Sequence, residues 1–133
     1  IRTDFLKEVM YDNPLNERRV PTYVLWSRIA KFNNTLFLNK IVVQKDYLEG
    51  GMTNNISVLR KQSCDSSRML YKEIAELSTK IYKSKLYRLK HVILFHKYNF
   101  YCTNNLQCKA HLIYNLTGFT VGFLLYFFES NKL

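Results

Sequence analysis

Between Leu70 and Ile93 the apolar residues recur at Leu70, Ile74, Leu77, Ile81, Tyr82, Leu86, Leu89 and Ile93. Steps of four and three, with a drift from Ile81 to Tyr82, fit the stripe of an α-helix and not the alternating face of a strand. The stripe predicts one continuous helix over about 66–96, on the order of 45 Å long at 1.5 Å per residue. Ser63 to Ser67 supplies N-caps for it. Lys83, Lys90 and Lys97 recur at heptad spacing, so such a helix carries them on one outer face with Tyr87 between them.

That predicted helix lies in a stretch with a polarised charge. From Leu77 to Phe128 there is no Asp or Glu, yet the stretch holds seven Lys/Arg and all three His. The first 76 residues carry twelve basic and nine acidic side chains, so the excess behind the net charge of +10 sits in the second half. A basic field laced with aromatic residues has anionic partners, with nucleic acid backbone at their head.

The rest of the chain reads as smaller pieces around this centre. Thr3-Asp4 ahead of Phe5, Leu6, Val9 and Met10 predicts a short helix ending near Asn13-Pro14. Thr22 predicts a second, with Leu25, Ile29, Phe32 and Leu36 inward and Trp26 anchoring the core. Ile41-Val42-Val43 reads as a strand or a buried turn, and Gly50-Gly51 is the best internal break. One domain over 1–133 follows: a helical part over 1–50, the long-helix region over 52–97, and an aromatic and apolar part over 98–133.

That last part supports two readings. Residues 112–128, LIYNLTGFTVGFLLYFF, contain no charge and sit at the lower length limit of a membrane helix. Turn residues at Thr103-Asn104-Asn105 and Asn115–Gly118 instead break the stretch into a β-hairpin or meander, rich in Tyr, Phe, Thr and Val. The strands are the preferred expectation. The fold class is therefore mainly α, or α+β if the strands form.

The chemistry of catalysis is not legible. No G-x-x-x-x-G-K-[ST] or G-x-G-x-x-G run cradles phosphate, and the spacing of Cys102, Cys108, His96 and His111 is not that of a zinc site. Glu73 and Glu76 read as helix-surface partners of Lys72 and Lys80. The expectation is no enzyme activity, no cofactor, no metal and no small-molecule substrate. Three cysteines form no disulfide framework and point to a reducing compartment, although Cys102 and Cys108 could pair across a hairpin. The sequons at Asn33, Asn55 and Asn115 would matter only in a secreted helical ligand. The start at Ile1 predicts that leading residues or a processed peptide precede it.

The candidate RNA-binding residues are Arg18 and Arg19 in a loop, Arg60 and Lys61 beside the serine cluster, and Lys80, Lys83, Lys85, Tyr87, Arg88, Lys90 and Lys97 along the rod. Lysine and arginine neutralise phosphates without reading sequence, and tyrosine stacks on unpaired bases. Two segments carry a resemblance, Arg28-Ile29-Ala30-Lys31-Phe32-Asn33-Asn34-Thr35 and Ser67-Arg68-Met69-Leu70-Tyr71-Lys72-Glu73-Ile74. They resemble a small eukaryotic coiled-coil family associated with mitochondrial import, to which microsporidian ribosome dormancy factors are related. The resemblance implies ribosome binding and occlusion of a tRNA site, with ribosomal RNA and ribosomal proteins as partners in the cytoplasm. The alternative is an accessory subunit of a mitochondrial membrane complex, anchored through 112–128.

Overall fold

A computed structural model of the protein describes residues 3–10, 17, 21–30, 32, 39–41, 43, 55–81 and 84–131, with the backbone alone for 3, 5 and 77–81. The described residues form α1 (Thr3–Val9), α2 (Thr22–Ile29), α3 (Ile56–Gln62), α4 (Cys64–Ile81), α5 (Lys85–Asn99) and α6 (Leu112–Ser130). No strand occurs among them. The chain is mainly helical, and its apolar C-terminal stretch is a helix. The expected hairpin or meander does not form over the described residues. The i,i+4 run of Tyr114, Gly118, Gly122 and Tyr126, all facing α5, explains why helix wins there.

The predicted long helix is two helices. Ser84 has an extended backbone, and its Oγ accepts the N–H of Tyr87 at 3.3 Å, a capping contact that starts a new helix. Helix α5 then packs antiparallel on α4. Arg68 of α4 donates to Asn99 Oδ1 at 2.9 Å at the end of α5, and Tyr71 stacks on Tyr98 with ring centroids 5.5 Å apart. The restart also rephases the apolar stripe. In α4 the inward residues are Leu70, Tyr71, Ile74 and Ala75, close to the predicted set. In α5 they are His91, Val92, Phe95 and Tyr98, while the expected Leu86 is 78% exposed. Phe95 and Val92 are fully buried.

The first turn of α4 is not capped by its own serines. Glu17, distant in sequence, accepts the N–H groups of Asp65 at 2.9 Å and Ser66 at 2.8 Å with its two carboxylate oxygens. Ser67 Oγ instead donates to the Arg60 carbonyl at 3.1 Å. Helix α2 also packs against α4. It buries Val24 in the core and pairs Arg28 with both carboxylate oxygens of Glu73. Residues 21, 24 and 28 make the inward face, so Trp26 points away and is 54% exposed rather than a core anchor. Phe32, Ile41 and Val43 are likewise exposed, so Ile41 and Val43 are not part of a buried turn, and Val42 lies outside the described residues. Gly50-Gly51 lies outside the described residues.

After α5 the chain runs back along α4 before α6 begins. Arg68 donates to the Asn104 carbonyl near the start of α4, and Lys109 N–H reaches Glu76 Oε1 at 2.9 Å about two turns later. Helix α6 is therefore parallel to α5. Arg88 lies over Tyr114, Val92 meets Gly118, and Phe100 meets Tyr126. The result is a layered order of α4, α5 and α6, with α5 packed on both neighbours.

Candidate functional site

Helix α6 touches α5 along one narrow seam. Gly118 and Gly122 are its only buried residues. A Cβ at Gly118 would fall 2.6 Å from Val92 Cγ1, and one at Gly122 would fall 2.9 Å from the Ile93 carbonyl oxygen and the Lys97 nitrogen. Glycine at this spacing lets two helix backbones approach where any side chain would hold them apart. Asn115 closes one end of the seam, donating to the Cys108 and Ala110 carbonyls at 3.2 and 2.9 Å while its Oδ1 meets His96 Nε2 at 3.3 Å. Its amide is thus occupied by the fold, which leaves this sequon without a free acceptor. Phe100 braces the other end against Phe119, Phe123 and Tyr126, with centroids 5.2 to 5.6 Å away.

The remainder of α6 is bare. Leu112, Ile113, Leu116, Phe119, Val121, Phe123, Leu124, Leu125, Phe127 and Phe128 are all exposed. The only hydroxyls on that surface, Thr117 and Thr120, turn back to the carbonyls of Ile113 and Leu116 at 2.8 and 3.2 Å. Their polarity is satisfied inside the helix. The helix is long and apolar enough to cross a membrane, and most of its circumference has no neighbour among the described residues. A contiguous apolar surface of this kind marks a protein or membrane contact.

The predicted basic rod does not survive as one face. Lys97 is buried on α5, where it pairs with Glu129 of α6 and lies 5.3 Å from the Tyr98 ring centroid. Lys61 also reaches Glu129, at 3.3 Å, and sits 5.4 Å from the Tyr101 ring centroid. Arg88 packs over Tyr114 at 5.5 Å, and its buried Nε has no hydrogen-bond partner among the described residues. Tyr87 is half-buried, with its ring 4.2 Å from that of His91. Arg60 is half-buried in the last turn of α3. Lys85 and Lys90 are exposed in the first two turns of α5. Arg18, Arg19 and Lys83 lie outside the described residues, as does the Lys80 side chain. Only part of the sequence-derived set therefore shares a surface.

What sequence reasoning missed is how the charges divide between the two ends of α6. Near its C-terminus Lys61 and Lys97 face Glu129, and Arg68 pairs with Asp65. Around its N-terminus stand Lys85, Arg88, Lys90, Lys109 and His111, with Glu76 the carboxylate that approaches them. Among the described residues, one end sets three cations against Glu129 and Asp65, and the other sets four Lys/Arg against Glu76. The parallel α5–α6 arrangement causes this, because it brings the starts of both helices together.

At the junction between the start of α4 and the turn after α5, the ligand atoms of Cys64, Asp65 and Cys102 lie within 4.8 Å of one another. Burial pushes both thiols above their ordinary range. Cys108 lies elsewhere, beside Glu76 and Lys72, and burial raises it to about 11. The sequence-based pairing of Cys102 with Cys108 is replaced by contact between Cys102 and Cys64, since the return segment carries Cys108 along α4 toward Glu76. Compared with protein-family models, curated proteins and solved structures, the chain matches none.

Proposed function

We propose that this protein is a non-catalytic, membrane-associated helical protein whose α6 enters the apolar part of a lipid layer. The observation that carries the reading is the bare apolar surface of α6, uncharged from Leu112 to Phe128 and held to the protein by a glycine seam. In water that surface is costly, at about 25 cal/mol for each Å² of apolar area left exposed. A bilayer removes the cost without a specific protein partner.

The layer order supports an orientation. Helix α4 packs on α5 and keeps Lys72 and Glu73 partly exposed, so a polar layer stays in water while α6 faces lipid. At 19 residues α6 is about 28 Å long, near the thickness of a hydrocarbon core. Crossing upright would draw Lys85, Arg88 and Lys90 of α5 alongside it. Lying in the membrane plane leaves those cations at headgroup level, where anionic lipid favours each by about 1 kcal/mol.

The competing proposal is contact with ribosomal RNA through Lys85, Lys90, Arg88, Tyr87 and Arg60. It is supported by charge but lacks the continuous face that a single long helix would have offered. Flotation of the purified protein with liposomes, half of them containing anionic lipid, separates the two. The membrane reading expects flotation that persists in 1 M salt and is lost on changing Leu116, Leu124 and Phe128 together to Lys. These three side chains are at least half exposed, so the fold should tolerate the change. Failure to float, with salt-sensitive retention on ribosomes, would overturn it in favour of RNA.

A further inference from the structure

We infer that Cys64 and Cys102 form a dithiol–disulfide site that closes the base of the α4–α5 hairpin. Cys64 is the first residue of α4, and Cys102 lies in the turn after α5, its N–H donating to the Asn99 carbonyl at 3.4 Å. The two sulfurs lie within 4.8 Å of each other. The backbone on either side is already held by other contacts. Glu17 fixes the first turn of α4, and Arg68 reaches from it to Asn99 and Asn104, which flank Cys102 in sequence. Forming the bond requires the two side chains to rotate until the sulfurs reach the roughly 2.05 Å of a disulfide.

The same surroundings favour a disulfide over a metal ion. Asp65, the third group of the cluster, is paired with the guanidinium of Arg68, which places a positive charge where a cation would sit. Metal binding also needs thiolates, and burial stabilises the neutral thiols here. A disulfide carries no charge and suits a half-buried site.

The oxidant is a low-molecular-weight disulfide such as oxidised glutathione. One cysteine loses its proton and attacks a sulfur of that disulfide, releasing one glutathione thiolate and leaving a mixed disulfide. The second cysteine then loses its proton and displaces the other glutathione, forming the Cys64–Cys102 bond. Two protein thiols are oxidised, one glutathione disulfide is reduced to two thiols, and both protons pass to the released thiolates. Because the thiols are held protonated, the rate rises with pH.

The test is equilibration of the full chain with reduced and oxidised glutathione, read by intact mass and non-reducing peptide mapping. The expected product has lost two hydrogens and joins the peptides of Cys64 and Cys102. The Cys108→Ser variant behaves the same, whereas Cys64→Ser and Cys102→Ser do not form the link. Oxidation should raise the unfolding midpoint by roughly 10 °C, because the bond closes a long loop. A linkage to Cys108, accumulation of glutathione adducts alone, or one tightly held zinc per reduced chain would each overturn the inference.

Discussion

Val92 of α5 and Gly118 of α6 occupy one space: a Cβ on residue 118 would stand 2.6 Å from Val92 Cγ1. One turn further on, Gly122 faces backbone atoms of Ile93 and Lys97 at 2.9 Å. The two positions differ in what would have to yield. At Gly118 the nearest atom belongs to a side chain, and at Gly122 the obstacles include main chain that cannot rotate away.

Alanine should therefore be corrected at one glycine and not at the other. Gly118→Ala is expected to cost about 1–3 kcal/mol through overpacking, and Val92→Ala in the same chain should recover part of that loss. Gly122→Ala should cost at least as much with no recovery from Val92→Ala. Denaturant midpoints of the four variants in mild detergent check this. Equal rescue at both positions would contradict the geometry.

The core offers a second test. Phe95 is fully buried in the cluster formed by Val24, Leu70, Tyr71, Ile74 and Tyr98. Phe95→Ala should remove about 3–5 kcal/mol, while Leu86→Ala, on a residue that the apolar period alone would rank as equally inward, should cost under about 0.5 kcal/mol. Thermal unfolding of the two variants reads the difference.

The helical character was legible because Leu70, Ile74 and their successors repeat at helical spacing in α4, where local pattern and packing agree. The break at Ser84 was not, since Leu86 and Leu89 extend the period across it and only the capping contact with Tyr87 shows the restart. The helix in 112–128 was legible as one of two readings, with turn-forming Asn115, Thr117 and Gly118 favouring the strands instead. In the fold Asn115 ties down the entering chain, Thr117 bonds back to its own helix, and Gly118 makes room for Val92. The basic rod is not one continuous face because the helix restarts at Ser84 and Glu129, far along the sequence, returns beside Lys97. Such long-range pairing leaves no mark on residue spacing.

Acid should weaken the α4–α5 pair. Burial pushes the His91 imidazole below its ordinary value of 6.5; the 2.7 Å contact of Nδ1 with the Tyr87 carbonyl opposes this, and Lys90 lowers it further. His96 is lowered by burial as well, against its bond to Asn115. The unfolded chain then binds protons more readily than the folded one just below pH 6.5. This stability is present in full above that value and is lost as pH falls through the depressed folded pKa. Urea midpoints should drop between pH 7.5 and 5.5, and His91→Phe should shrink the drop. A midpoint that rises on acidification would reverse the sign.

Glu129 is shared unequally between two lysines. The Lys97 side chain is 10% exposed and that of Lys61 24%, so the first pair is screened less by water. Removing Lys97 leaves Glu129 with a more distant and wetter partner. Lys97→Met should cost about 1–2 kcal/mol, below the roughly 3–5 kcal/mol of a fully buried broken pair because Glu129 remains 35% exposed. Lys61→Met should cost under about 1 kcal/mol. In double-mutant cycles with Glu129→Gln, the coupling of Lys97 to Glu129 should exceed that of Lys61, and added salt should erode the Lys61 term first. Equal couplings with equal salt dependence would mean that Lys97 is as hydrated as Lys61, and that α6 sits more loosely on α5 than the glycine seam allows.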